Sequence, residues 1–378
     1  EFTARMKFAI ITYILHKEHN MSYYSYEPYI REMNVWLNSV EEIIVVAPKV
    51  PAPPSAIETS YQHTEIDFRK IPSISFLKFA GVIRSLIMLP GICFKILRAM
   101  KDADHIHLRC PGNIALIACF IQILFPHKPK TVKYAGNWDP NSKQPWSYRL
   151  QKWILGNTFL SRNIKVLVYG DWPEQSKNIV PFFTASFKET EKGLHSKDFT
   201  SPFKFIFVGS LSAGKRPLFA IKLIEALMGK GIPVKLEIYG SGLMKNELQE
   251  YIATKNLDPF VRLMGNCKLE ELKEVYNASH FLILASQSEG WPKAVAEAMF
   301  FGCIPVVTSV SCVPWMVDYG KRGILIDENV TLAAEKIQQE IRNPKILKEI
   351  SVAAQTWSQE YTLEKFEEGI KRILYDSH

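Results

Sequence analysis

The chain runs one pattern twice. KFAIITYIL (7–15), EIIVVA (42–47), HIHL (105–108), TVKYA (131–135) and IKVLVY (164–169) are short apolar runs of the kind that form buried strands. Amphipathic stretches near 27–39, 76–100, 113–124 and 145–159 separate them and predict helices. The pattern stops at 181–202, PFFTASFKETEKGLHSKDFTSP, a polar stretch that reads as a linker. It resumes with strands predicted at 203–209, 234–240, 260–265, 280–286, 303–308 and 323–327. Helices are predicted near 217–229, 243–254, 268–277, 292–301 and 331–341, and a helical tail over 344–375. Strands alternating with helices build a parallel sheet covered on both faces. The expectation is therefore two doubly wound α/β domains, 6–185 and 200–355, with residues 356–378 as a C-terminal helix crossing back to the first. With 378 residues, 47% of them hydrophobic, the chain is long enough for two such cores. EFTAR, ahead of Met6, is set aside as foreign to the fold.

In open sheets of this kind ligands bind outside the carboxyl ends of the strands. One such end carries HFLILASQSEGWPKAVAEAMF, residues 280–300. Gly290 permits a sharp turn, and Pro292 suits the first position of the following helix. The N–H groups of Gly290, Trp291 and Lys293 would then face an anion. Glu289 stands beside that point and Glu297 lies deeper in the helix. Carboxylates accept hydrogen bonds from hydroxyls, so anion and carboxylates together fit a phosphate with polyol on either side, as in a nucleotide-sugar. The plainer reading is that Glu289 closes a loop and Glu297 solvates a helix face. FIFVGSLSAGKRPLFAI (205–221) adds a small-residue loop with Lys215 and Arg216 ahead of a helix starting at Pro217, where cations can neutralise a diphosphate. YGSGLMKNEL (239–248) lacks the third glycine of a dinucleotide fingerprint and implies only a tight turn at Gly240.

These motifs carry a resemblance. SEGWPKAVAEAMFFGCIPVV is similar to the E-x7-E signature of glycosyltransferase family 4, the glycosyl transferases group 1, usually EGFGLVLLEAMACGLPVV. VGSLSAGKRP resembles that family's VGRLxxxKG loop, MGNCKLEELKEVYNASHFLILAS its LGxVxxEELxxLYxxADVFVLPS, and GILID after DYGKRG its NGLLV. The match covers about 205–330; over 1–180 only Asp104 and His107 echo the family. The resemblance implies a GT-B fold, two Rossmann-like domains facing across a cleft, and sugar transfer from a nucleotide donor with retention. It implies that Glu297 holds the ribose hydroxyls, Glu289 the donor sugar, and Lys215 the diphosphate. Gly290 and Trp291 would meet sugar and phosphate, and Asn266, Cys267 and Lys268 would line the base. Gly209, Ser210, Gly240 and Lys293 complete the expected donor contacts.

Several positions depart from the family. Its loop arginine falls at Ser210, leaving Arg216 as the substitute cation. Its cleft histidine falls near Gly136 and is absent, so Asn137 or Asp139 stands in. Its glycine-rich first loop is replaced by HKEHNMSYYSYEP (16–28), with His16 offered to the acceptor; His107 and Arg109 are further acceptor or cleft candidates. The plainer reading of the loop histidines is solvent exposure.

The net charge is +8, and residues 1–190 hold all of it: 23 Lys and Arg against 15 Asp and Glu, with 23 of each thereafter. That basic half, and the apolar 74–100 segment interrupted by Lys78, Arg84, Lys95 and Arg98 and expected to break at Pro90-Gly91, imply a glycan or lipid-linked acceptor and contact with an anionic membrane surface. The segment is too charged to span a bilayer. Solvated basic faces on core helices are the ordinary alternative. Cys93, Cys110, Cys119, Cys267, Cys303 and Cys312 show no paired spacing, and MKFAIITYIL runs into HKEHN without a cleavage site, so a cytoplasmic protein is expected. Asp102-Ala103-Asp104 stands at the wrong end of its strand for a metal site, so no metal or other cofactor is expected. Rival readings are a nucleotide-sugar epimerase, a non-catalytic nucleotide-sugar binder and a nucleic-acid binder; against the last, basic residues do not interleave with aromatics.

Overall fold

A computed structural model describes residues 6–55, 57–74 and 79–375, with side chains omitted over 79–84. EFTAR, Lys78 and the Arg84 side chain lie outside the described residues. The chain divides into two compact units, 1–182 with 367–378, and 183–366.

The first unit opens with β1 (Lys7–Ile11), β2 (His16–His19), β3 (Ser22–Tyr26), α1 (Glu27–Leu37), β4 (Glu42–Pro51), β5 (Glu58–Ser60) and β6 (Ile66–Ile71). It continues with α2 (Phe79–Asp102), β7 (His105–Cys110), α3 (Asn113–Ile121), β8 (Lys130–Tyr134), α4 (Trp146–Gly156), β9 (Ile164–Val168) and β10 (Ile179–Pro181). Its sheet runs β10-β9-β8-β7-β1-β4-β2-β3-β5, with β6 also on β4. All pairs are parallel except β2 with β3 and β3 with β5. Side chains alternate across β1, as a strand requires. Ala9 and Ile11 join the core formed with α2, α3 and α4. Phe8 points the other way, stacking on Trp36 of α1 and on His107.

Two expectations are corrected in this unit. The stretch 16–28 is not an open loop: β2 and β3 form a hairpin that β4 and β5 extend into the sheet. Nor does Pro90 break the helix, which runs through it from Phe79 to Asp102. Leu86 and Pro90 both lie on the exposed side, where water can satisfy the carbonyl that loses its N–H partner.

The second unit contains β11 (Phe203–Val208), α5 (Pro217–Gly229), β12 (Val234–Tyr239), α6 (Lys245–Thr254), β13 (Val261–Gly265), α7 (Leu269–Ala278) and β14 (Phe281–Leu284). After these come α8 (Lys293–Phe300), β15 (Ile304–Thr308), α9 (Val313–Met316), β16 (Ile324–Ile326), α10 (Val330–Glu340), α11 (Pro344–Ser358) and α12 (Leu363–Tyr375), the last ending in the first unit. The sheet is wholly parallel, β13-β12-β11-β14-β15-β16. Phe205 and Phe207 pack with α5 and α10 on one face, while α8 and α11 cover β15 on the other. Helix starts follow local chemistry. The Asn329 side chain accepts from the amides of Thr331 (2.9 Å) and Leu332 (3.2 Å), and Pro344 follows Asn343 into α11.

Candidate donor site

Five loops leave the carboxyl ends of β11 to β15, and their backbones bind one another. Gly209 N–H donates to Tyr239 O (3.0 Å), Leu211 N–H to Ser241 O (2.9 Å), Met244 N–H to Leu211 O (3.0 Å) and Gly240 N–H to Gly265 O (2.7 Å). Gln287 N–H donates to Gly214 O (2.9 Å). The Thr308 hydroxyl donates to Ser286 O (3.2 Å), and Cys312 Sγ–H to Gly290 O (3.1 Å). This web explains YGSG. A Cβ on Gly240 would stand 1.8 Å from Gly209 O, and φ there is +141°. The glycine lets two loops touch backbone to backbone.

Lys215 and Glu289, predicted from motifs 74 residues apart, meet. Lys215 Nζ donates to Glu289 Oε1 at 2.6 Å, and Glu289 is 7% exposed. The pair links the β11 loop to the β14 loop. Arg216, at the N-cap of α5 in the left-handed region (φ 54°), points elsewhere: its Nη1 donates to Glu328 at 2.9 Å, just past β16. Helix α8 begins at Lys293, with Pro292 as its N-cap rather than its first residue.

Glu297 sits one turn into α8, half-buried, with both oxygens held. The Ser186 hydroxyl donates to Oε1 at 2.6 Å and the Tyr276 hydroxyl to Oε2 at 3.0 Å. Tyr276 is wholly buried on α7, and burial with the adjacent Glu297 pushes its phenol well up, so it remains a donor. Neither partner was expected from sequence. Leu272 and Tyr276 share the buried side of α7 one turn apart, but nothing local in the sequence tells where the hydroxyl goes. Trp291 is buried, its ring 6.2 Å from Trp357 and 5.5 Å from Tyr361. Ser210 is exposed, its hydroxyl 3.2 Å from that of Ser212. Asn266 and Lys268 are exposed between β13 and α7, while Cys267 Sγ–H donates to Glu271 at 3.1 Å. Desolvation and Glu271 push that thiol up to about 11.

The acceptor candidates all lie in the first unit. His16 is fully buried in β2, its Nδ1 2.9 Å from Ile14 O and its Nε2 3.0 Å from Tyr61 Oη. A carbonyl only accepts, so Nδ1 carries the proton and Nε2 accepts from Tyr61. Burial lowers this imidazole to about 4. His107 is also fully buried, Nδ1 2.9 Å from Thr131 Oγ1, with its ring 4.8 Å from Trp36. Arg109 pairs with the buried Glu32 at 3.1 Å and lies over Tyr29. The Asn137 side chain accepts from Asp139 N–H, and the Asp139 side chain from Asn141 N–H, both at 2.8 Å, which makes this segment a set of local turns. At the other end of the sheet Asp102 pairs with Arg69 (2.8 Å) and Asp104 accepts from Lys7 N–H (2.9 Å).

Comparison with known proteins places this geometry. Residues 190–357 match the glycosyl transferases group 1. The putative colanic acid biosynthesis glycosyltransferase WcaL of Salmonella typhimurium is 27% identical over 185 residues, 41% of this chain and 45% of that protein. Such alignments span less than half the length of the curated relatives first matched. Sucrose-phosphate synthase of Thermosynechococcus elongatus shares the fold with a TM-score of 0.66 at 15% identity, covering 98% of this chain and 99% of that one. Anabaena Alr3699/HepE, solved with UDP and glucose, gives 0.64 at 16% identity over 98% and 99% of the chains. The fold is GT-B, with two Rossmann-like units.

Proposed function

We propose that the chain is a retaining glycosyltransferase that moves a hexose from a nucleotide-sugar to a hydroxyl of a glycan or lipid-linked acceptor, in surface polysaccharide or other glycan synthesis. The observation that carries the proposal is the meeting of Lys215 with the buried Glu289 at the strand ends, beside the start of α8 and one turn before Glu297. Lys215 and the α8 amides oppose charge developing on the leaving diphosphate without a metal. Glu289 accepts from the sugar hydroxyls and Glu297 from the ribose. The acceptor oxygen bonds to the anomeric carbon on the face the diphosphate leaves, and a leaving phosphate oxygen takes the acceptor proton. A relative named for colanic acid biosynthesis and a neighbour solved with UDP and glucose support the donor and product classes. The protein would work at the inner face of the cytoplasmic membrane. Transfer from labelled donors by wild type, Lys215→Ala and Glu289→Ala tests the reading. Each variant is expected to lose at least about 100-fold in rate while remaining folded, and wild-type turnover in either refutes the assignment. Donor conversion without any acceptor would identify an epimerase instead.

A further inference from the structure

One face of the first unit has the composition of a lipid-contacting surface. Helices α2, α3 and α4 pack side by side on the same face of the sheet. Their outer surface and the segments just after α3 and α4 leave large apolar side chains in water: Ile87 is 75% exposed, Phe94 61%, Trp146 68% and Trp153 61%, with Leu124 67% and Phe159 72% in the following turns. Single exposed apolar residues are ordinary, but a series of this kind on one helical layer is not. On α2 the positions 87, 94, 98 and 101 recur at helical spacing, so Ile87 and Phe94 share a stripe with Arg98 and Lys101. Arg149 and Arg162 add exposed positive charge around α4. The three helices hold one acidic residue, Asp102, and Arg69 takes it up. Apolar and tryptophan side chains that enter an interface, ringed by cations and free of acids, complement an anionic bilayer. No described helix is long and apolar enough to cross a membrane.

We infer that the α2–α3–α4 face docks the protein on anionic phospholipid, with Phe94 and Trp153 as apolar anchors and Arg98 and Arg149 as headgroup contacts. The inference rests on the reading that the enzyme works at a lipid surface, and does not depend on the donor chemistry. The test is co-sedimentation with phosphatidylcholine vesicles with and without phosphatidylglycerol. Four proteins are compared: wild type, Phe94→Ser/Trp153→Ser, Arg98→Glu/Arg149→Glu, and a control, Lys235→Glu/Lys345→Glu, on the second unit. Wild type and control should bind only the anionic vesicles and be released by salt, and each face variant should bind at least about tenfold more weakly. Thermal unfolding and nucleotide-induced stabilisation report that the variants remain folded. Binding retained by both face variants overturns the assignment of the face alone. A wild type that ignores every vesicle overturns the lipid-surface reading as well. A wild type that self-associates through these residues, by sedimentation velocity, overturns the lipid occupant in favour of a second copy.

Discussion

Gly240 has no room for a side chain, because its missing Cβ is where Gly209 O lies. Gly240→Ala is expected to separate the β11 and β12 loops and to lower stability by about 2–4 kcal/mol, read as a fall in Tm. A Tm equal to wild type would contradict the backbone contact. His16 gives a second residue-scale prediction. Its folded pKa, about 4, lies below the ordinary histidine value of 6.5. The unfolded chain therefore binds the proton first as pH falls, so the stabilisation is present above about pH 6.5 and drains away towards pH 4. Wild type should lose up to about 3 kcal/mol relative to His16→Gln across that window. Parallel pH profiles of denaturant unfolding for the two proteins would show that burial does not hold this imidazole neutral.

Helix α8 gathers chemistry at both ends of its first turn, and α7 supports it from behind. Tyr276 and Ser186 hold the Glu297 carboxylate from two sides and fix its orientation. Tyr276→Phe removes one donor while keeping the ring, and should weaken nucleotide binding by roughly five- to twelvefold, at about 1–1.5 kcal/mol for a hydrogen bond. Isothermal titration showing unchanged affinity would mean that Glu297 does not need its support. Much of this unit was legible in sequence: apolar runs separated by amphipathic stretches predict β11 to β16 and α5, α6, α7, α8 and α10 to within a few residues, because the central strands β14 and β15 are buried on both faces and the others keep an apolar face. The single turn α9 was not predicted. The β2–β3 hairpin, β5 and β6 were not. Their strands are half-exposed and polar, and HKEHNMSYYSYEP carries no apolar alternation to mark them. Lys215, Glu289 and Glu297 could be named from local motifs. Tyr276, Ser186 and Glu328 could not, since their roles depend on contacts between distant segments.

For the whole molecule, the two units divide their burdens unequally. The second is nearly balanced, with 22 Lys and Arg against 21 Asp and Glu, while the first holds 24 against 17 and so most of the positive excess. On the proposed reading, the recognition of a small anion by the second unit is separated from that of a large anionic surface by the first. A crystal structure with a nucleoside diphosphate bound (UDP, GDP and ADP tried in turn) tests donor binding most directly. The expected structure has the diphosphate within hydrogen-bond reach of Lys215 and the first turn of α8, with the ribose hydroxyls on Glu297. A nucleotide lodged elsewhere, with Lys215 still on Glu289 and no ribose hydroxyl on Glu297, would contradict it.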